Sequence, residues 1–107
     1  MSKQSDLVVL TPPPSQPIAN KAHKILQEAI VALSKLELEA KVLHCVEDHA
    51  LNQEVEAAIF AGVDYDEWRE KRNVRIIHNT RMENLWRDLH NIVRKIKSGI
   101  GAVEYYR

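Results

Sequence analysis

A thiol and two imidazoles lie close together near the middle of the chain, at Cys45, His44 and His49. Cys45 and His49 are one helical turn apart, so a helix would present both on one face. Two ligands fall short of the three or four that zinc requires, and the other histidines are distant in sequence. We therefore expect no metal site and no cofactor.

The same pair could instead act as nucleophile and base in covalent catalysis. No glycine-rich turn or nest of backbone amides lies near Cys45 to stabilise an oxyanion. The chain also has no glycine-rich loop of the kind that binds phosphate. We therefore expect that the protein is not an enzyme.

Cations are concentrated in the second half of the chain. Residues 1–64 carry 5 Lys/Arg and 9 Asp/Glu, a net charge of −4, whereas residues 65–107 carry 10 and 6, a net charge of +4. Either the two halves pack together with complementary charge, or the basic half faces an acidic protein surface or a nucleic acid. In the second interpretation the partner-binding residues are Arg69, Arg72, Arg75, Arg81, Arg87, Arg94, Lys95 and Lys97.

These residues need a scaffold, and the composition predicts a helical one. At 107 residues the chain has room for one domain, and its 45% hydrophobic residues and 3 glycines favour helices. Four prolines between Pro12 and Pro17 predict an extended arm over residues 1–19, followed by a helical domain over residues 20–107.

Apolar spacing predicts a long first helix that begins after Asn20, a typical capping residue. We expect a helix of about 30 residues that packs along most of its length, with Leu33 and Leu36 in the core. The steps between its apolar residues alternate between four and three, as in a heptad seam. The seam consists of Ala22, Leu26, Ala29, Leu33, Leu36, Ala40 and Leu43, and continues with Glu47 and Ala50.

Capping signals divide the rest of the chain. Asn52 predicts the start of a short helix over residues 53–61, which Gly62 would end, and Asp64 predicts the start of the next helix. The apolar stripe changes phase near Asn79, which predicts a kink or a break between residues 64 and 98. Residues 102–106 are expected to be extended.

The predicted fold is therefore all-α. It is an antiparallel helical bundle with a long N-terminal helix, a short middle helix and one kinked or two C-terminal helices. The extended, proline-rich N-terminal arm precedes it.

The run from Glu54 to Arg69 resembles the helix-turn-helix family. Ala58, Gly62, Val63 and the large apolar Trp68 match the spacing of small, glycine and apolar residues in that motif. The resemblance implies DNA binding through residues 53–78. The sequence departs from the motif at residues 64–67, which are acidic where DNA phosphates would lie.

The function that these observations favour is non-catalytic binding of a macromolecule, as an adaptor, inhibitor or regulator. A helix-turn-helix transcriptional regulator is the alternative, and a second copy of the chain is a further candidate partner. Small size and a proline arm are also typical of phage- or plasmid-encoded regulators. No apolar run approaches the roughly 18 residues that span a membrane, so we expect no membrane association and a cytoplasmic protein.

Overall fold

A computed structural model of the protein describes residues 13–107, and these residues form two α-helices and no strand. Helix α1 is Ser15–Ala61, 47 residues long, and helix α2 is Tyr65–Glu104, 40 residues long. The predicted all-α class is confirmed. Neither helix, over the described part of the chain, has an apolar stretch long enough to cross a membrane.

Helix α1 begins earlier than the sequence predicts. It starts at Ser15 after Pro14, and the backbone N–H of Gln16 donates to the carbonyl of Pro13 at 3.0 Å. Pro17 fits in the first turn because amides there have no helical acceptor. The prediction of an extended arm is therefore wrong for residues 15–19, and residues 1–12 lie outside the described residues.

The predicted short middle helix is not a separate element. Residues 53–61 are the last turns of α1, and Asn52 lies inside this helix rather than at a cap. No glycine or proline lies between Asn20 and Ala61, so nothing in the backbone forces a break. Packing against α2 then extends along the whole helix and stabilises it.

The turn between the helices follows the capping signals. Gly62 ends α1 in the left-handed region, at φ 63° and ψ 33°, which glycine adopts at no steric cost. The Asp64 carboxylate accepts the backbone N–H of Asp66 at 3.1 Å. Asp66 and Glu67 place negative charge in the first turn of α2, where the helix dipole favours it.

Helix α2 is continuous, so the predicted kink or break near Asn79 is wrong. The Thr80 hydroxyl donates to the carbonyl of Ile76 within the helix, at 2.9 Å, instead of capping a new one. The expected extended segment at residues 102–106 is also wrong, because α2 continues through Gly99 and Gly101 to Glu104. A helix tolerates single glycines at a modest energetic cost.

The two helices form an antiparallel hairpin, as predicted, but with a different seam. Gln16 bonds to Arg107 at one end, and Glu54 bonds to Arg75 near the other. Among the buried and half-buried positions of each helix, one series alternates by threes and fours, the heptad pattern of a coiled coil. In α1 this series is Ala19, His23, Leu26, Ile30, Leu33, Glu37, Ala40, His44, Glu47 and Leu51. In α2 it is Trp68, Arg72, Arg75, Asn79, Met82, Trp86, Leu89, Val93, Ile96, Ile100 and Val103.

The interface differs from the predicted one because polar side chains occupy several of its positions. Leu33 lies in it, but Leu36 is 50% exposed, so the expectation for Leu36 is wrong. Among the described residues the buried hydrophobic core consists only of Ala19, Ala40, Leu51 and Val93, and no large side chain is fully buried.

Candidate binding surfaces

A polar pair lies at the centre of the helix interface. Asn79, which is buried, donates from Nδ2 to the backbone carbonyl of His44 at 3.2 Å. His44 Nδ1 lies 3.1 Å from the backbone carbonyl of Asn79. Because a carbonyl only accepts, Nδ1 must carry the proton. Each of the two residues therefore bonds the other's backbone, which fixes the helices in one register.

Histidines also join the helices along one side of the hairpin. His90 Nδ1 lies 2.7 Å from the Glu37 carboxylate, and His23 Nε2 lies 2.6 Å from that of Glu104. Arg107 Nε donates to the Asn20 side chain at 2.9 Å on the same side. This side of the hairpin is therefore polar and bonded in the part farther from the turn.

Arg75 forms the charged contact between the helices nearest the turn. Its guanidinium donates to the carboxylates of both Glu47 and Glu54 on α1. The hydrogen bond from Arg75 is the main cause that lowers the pKa of Glu54 below its ordinary value. The same two carboxylates raise the pKa of Arg75.

The eight predicted partner-binding cations do not form one surface. Arg75 belongs to the helix interface, and Arg72 is half-buried beside it, its guanidinium 5.4 Å from the Trp68 ring centroid. Arg69 and Lys97 are exposed but lie at positions that flank the interface. The other four, Arg81, Arg87, Arg94 and Lys95, are exposed on the side of α2 that faces away from α1.

We call this side the outer face of α2, and its exposed residues are Arg81, Asn84, Arg87, Asp88, Asn91, Arg94, Lys95 and Ser98. Arg87 bonds Glu83 of its own helix at 2.5 Å and lies over the Trp86 ring, 5.7 Å from its centroid. Arg81, Arg94 and Lys95 make no ion pair with another described residue. The outer face therefore carries positive charge that α1 does not neutralise.

The thiol and imidazoles near the middle of α1 are not gathered into a site. Cys45 and His49 are exposed, whereas His44 is turned into the helix interface. Over residues 13–107 no group of three or more His, Cys, Asp or Glu side chains could hold a metal ion.

An apolar surface on α1 was not predicted from the sequence. Ile18, Ile25 and Val46 are 71%, 65% and 63% exposed, and Leu36 and Leu43 are half exposed. The sequence contains the signal for it, because the predicted seam includes apolar residues of this surface, such as Leu36 and Leu43, and omits His23, Glu37 and His44. Apolar character alone could not reveal which stripe α2 covers.

A smaller apolar depression lies at the turn, with a volume of about 300 Å³. Val55, Ile59, Val63 and Trp68 line it, and Arg72 lies at its edge. Val55, Ile59, Val63 and Trp68 belong to the segment that resembles a helix-turn-helix motif. The helices of that motif cross at about 90–120°, whereas here they run antiparallel along their length.

Comparison of the chain with protein-family models, curated proteins and solved structures finds no match.

Proposed function

We propose that the protein is a non-catalytic binding protein, an adaptor, inhibitor or regulator, whose outer face of α2 contacts an acidic protein. The observation that carries the proposal is the uncompensated charge of Arg81, Arg94 and Lys95 on a helix side that faces away from α1. A basic surface of this kind attracts negatively charged partners and raises their association rate.

The contacts of the cations favour a partner over internal charge matching. Arg75 is the α2 cation that forms ion pairs with α1 carboxylates in the described part of the chain. Charge matching between the two helices therefore accounts for Arg75 and does not account for the cations of the outer face.

The composition of the outer face favours a protein over a nucleic acid. Asp88 lies among the cations, and Glu83 bonds Arg87 beside them. Carboxylates at these positions would repel a phosphate backbone, but they suit a protein surface of mixed charge. The antiparallel packing of the two helices also gives no support to a recognition helix at the turn.

Charge reversal on the outer face tests the proposal. Arg87→Glu combined with Arg94→Glu should abolish capture of the partner from a lysate and leave helicity unchanged, because both side chains are exposed. The control is Lys24→Glu combined with Lys71→Glu, which makes the same change in charge away from the outer face and should capture normally.

Nuclease treatment and salt separate the classes of partner. A protein partner should survive nuclease and show a shallow salt dependence, mostly in the association rate. A signal that nuclease removes, and that falls steeply with salt, would point to nucleic acid instead. Normal capture by the double variant would contradict a role for this face.

A further inference from the structure

Helix α1 carries a second heptad stripe beside the one that α2 covers. We call it the apolar stripe, and it consists of Ile18, Ala22, Ile25, Ala29, Ala32, Leu36, Leu43, Val46 and Ala50. The steps alternate between four and three, with only Glu39 interrupting. Val31, Leu38 and Val42 are exposed next to it, so the middle of α1 is apolar on most sides. A helix of this kind is usually buried on more than one side.

The apolar stripe borders a groove between the two helices. Leu85 and Ile92 of α2 are 49% and 44% exposed, and their heptad positions flank the interface on the same side as Leu36 and Leu43. Leu43 also lines a shallow depression with His78 and Met82 of α2. The bonds of His23, His90 and Arg107 lie on the opposite side, whereas Arg75 and Glu47 line the same depression as Leu43. One side of the hairpin therefore carries the histidine bonds, and the other is open and, away from Arg75, apolar.

We propose that the apolar stripe is the interface with a second copy of this chain, in which the two α1 helices pack antiparallel. The charge along α1 identifies the occupant. Residues 15–36 carry Lys21, Lys24 and Lys35 against Glu28, a net charge of +2. Residues 37–61 carry one lysine and six carboxylates, a net charge of −5. In an antiparallel pair, the positive half of each α1 lies against the negative half of the other α1.

Individual charges select one register of this pairing. With the two-fold axis between residues 37 and 38, Ile25 faces Ala50, and Ala32 faces Leu43, of the second copy. Lys21 then lies beside Glu56 of the second copy, and Glu39 lies beside its Lys35. All four side chains are exposed and make no ion pair with another described residue.

The neighbouring registers bring like charges together. A shift of one heptad in one direction places Lys35 against Lys35 of the second copy. The same shift in the other direction places Glu28 against Glu56. Like charges that face each other across an interface oppose association, so the register with opposite charges is favoured.

The size of the surface suits a stable dimer. From Ile18 to Ala50 the stripe is about 50 Å long, and a helix is about 10 Å wide, so α1 alone contributes on the order of 500 Å². Contact with Leu85 and Ile92 of α2 adds to this, so the two chains together bury more than the roughly 1,000 Å² expected of a biological interface. The product is a four-helix bundle, with the outer face of each α2 still exposed. This inference is independent of the proposed function.

The molar mass of the full chain in solution tests the proposal. Sedimentation equilibrium should give twice the mass of one chain. Leu36→Glu combined with Leu43→Glu should give a monomer, because carboxylates would be buried in the dimer. The matched control, Asn84→Glu with Asn91→Glu, adds the same charge to the outer face of α2 and should remain dimeric.

A wild-type mass of one chain at high micromolar concentration overturns the proposal. The stripe would then be left to another protein or to the four apolar residues 7–10 of the same chain. A dimer that survives both leucine changes overturns the choice of surface.

Charge reversal tests the antiparallel pairing without touching the apolar stripe. Lys21 and Glu56 are about 52 Å apart on one helix, too far to interact within one chain. Lys21→Glu alone should raise the dimer dissociation constant about fivefold, since two exposed pairs are lost per dimer. Adding Glu56→Lys should restore it.

Such coupling between distant residues is expected only if a second copy lies antiparallel. If the effects of Lys21→Glu and Glu56→Lys on the dissociation constant simply add, the antiparallel pairing is overturned. This test holds even if the leucine variant fails to fold.

Discussion

Asn79 and His44 give the hairpin a polar centre. Each bonds the other's backbone carbonyl, at 3.2 Å and 3.1 Å, so neither bond survives if the helices slide by one turn. A single asparagine in a coiled-coil seam commonly sets register at some cost in stability. We expect Asn79 to set the register here, because a leucine would pack at this position without fixing which residue of α1 it faces.

Asn79→Ala should lower the free energy of unfolding by about 1–2 kcal/mol. It removes a buried hydrogen bond and leaves the carbonyl of His44 with one donor fewer. Urea unfolding followed by circular dichroism measures the change. Asn84→Ala, on the exposed side of the same helix, should change it by less than about 0.5 kcal/mol. Equal effects of the two substitutions would contradict the role of the pair.

Glu54 should make stability depend on acid pH. Its pKa in the folded chain lies below the ordinary 4.5 because Arg75 bonds the ionised carboxylate. Ionised Glu54 therefore favours folding above about pH 4.5, and this contribution is lost as the pH falls through the lowered pKa. The wild type should unfold at higher urea than Glu54→Gln at neutral pH, and the gap should close in acid.

Glu70→Gln supplies the control for that titration. Glu70 is exposed and makes no ion pair with another described residue, so this variant should follow the wild type at every pH. A constant gap between wild type and Glu54→Gln down to low pH would show that the bond to Arg75 does not depend on charge.

At the scale of the elements, the hairpin depends on how α1 ends. Gly62→Ala should destabilise the chain by about 1–2 kcal/mol, because a Cβ is strained in the left-handed conformation. No atom lies within 4 Å of the added Cβ, so the cost is conformational and not steric crowding by neighbours. Differential scanning calorimetry measures it as a lower melting temperature.

Gly101→Ala is the matched change within a helix. It also meets open space, but alanine is the better helix former there, so the variant should be more stable by about 0.5–1 kcal/mol. If both substitutions shift stability in the same direction, the special backbone of Gly62 is not what ends α1.

The elements were only partly predictable from the sequence. Their type, the antiparallel packing and the turn at Gly62 and Asp64 follow from composition and capping chemistry. The breaks predicted at Asn52 and near Asn79 are absent: Asn52 lies exposed inside α1, and Asn79 bonds the backbone of His44 across the interface. Local capping signals carry no information about which residues a distant helix will bond.

The candidate surfaces were predictable to a similar extent. The exposed cations of the outer face follow from the sequence, since α2 has no apolar stripe there. The sequence predicts that Arg72 and Arg75 share this surface, because charged residues are usually exposed. Their place in the interface depends on Glu47, Glu54 and Trp68, and the sequence alone does not pair these residues.

At the scale of the whole molecule, the two ends of the hairpin are held differently. Near the turn the interface contains Arg72, Arg75 and Glu47. Toward the other end it is mostly aliphatic, through Leu26, Ile30, Leu33, Leu89, Val93 and Ile96. Burial of aliphatic side chains contributes more to stability than partly exposed ion pairs do.

Hydrogen exchange should therefore be slowest away from the turn. We expect the strongest amide protection over residues 26–33 and 89–96, and weaker protection over residues 47–58 and 68–75, because local opening costs less where fewer apolar contacts break. Exchange monitored by mass spectrometry of peptides resolves these segments. Uniform protection along both helices would indicate that the hairpin opens only as a whole.

The bond between Gln16 and Arg107 has a mechanical consequence. Because the two ends of the described chain meet, a force that pulls them apart acts across the helix pair and not along it. The helices would unzip one turn at a time from residues 16 and 107, so that the polar bonds of His23 and Arg107 break before the aliphatic contacts that follow them. A force applied between residue 16 and the turn would instead act along the axis of α1. The backbone hydrogen bonds of its successive turns would then be loaded in series.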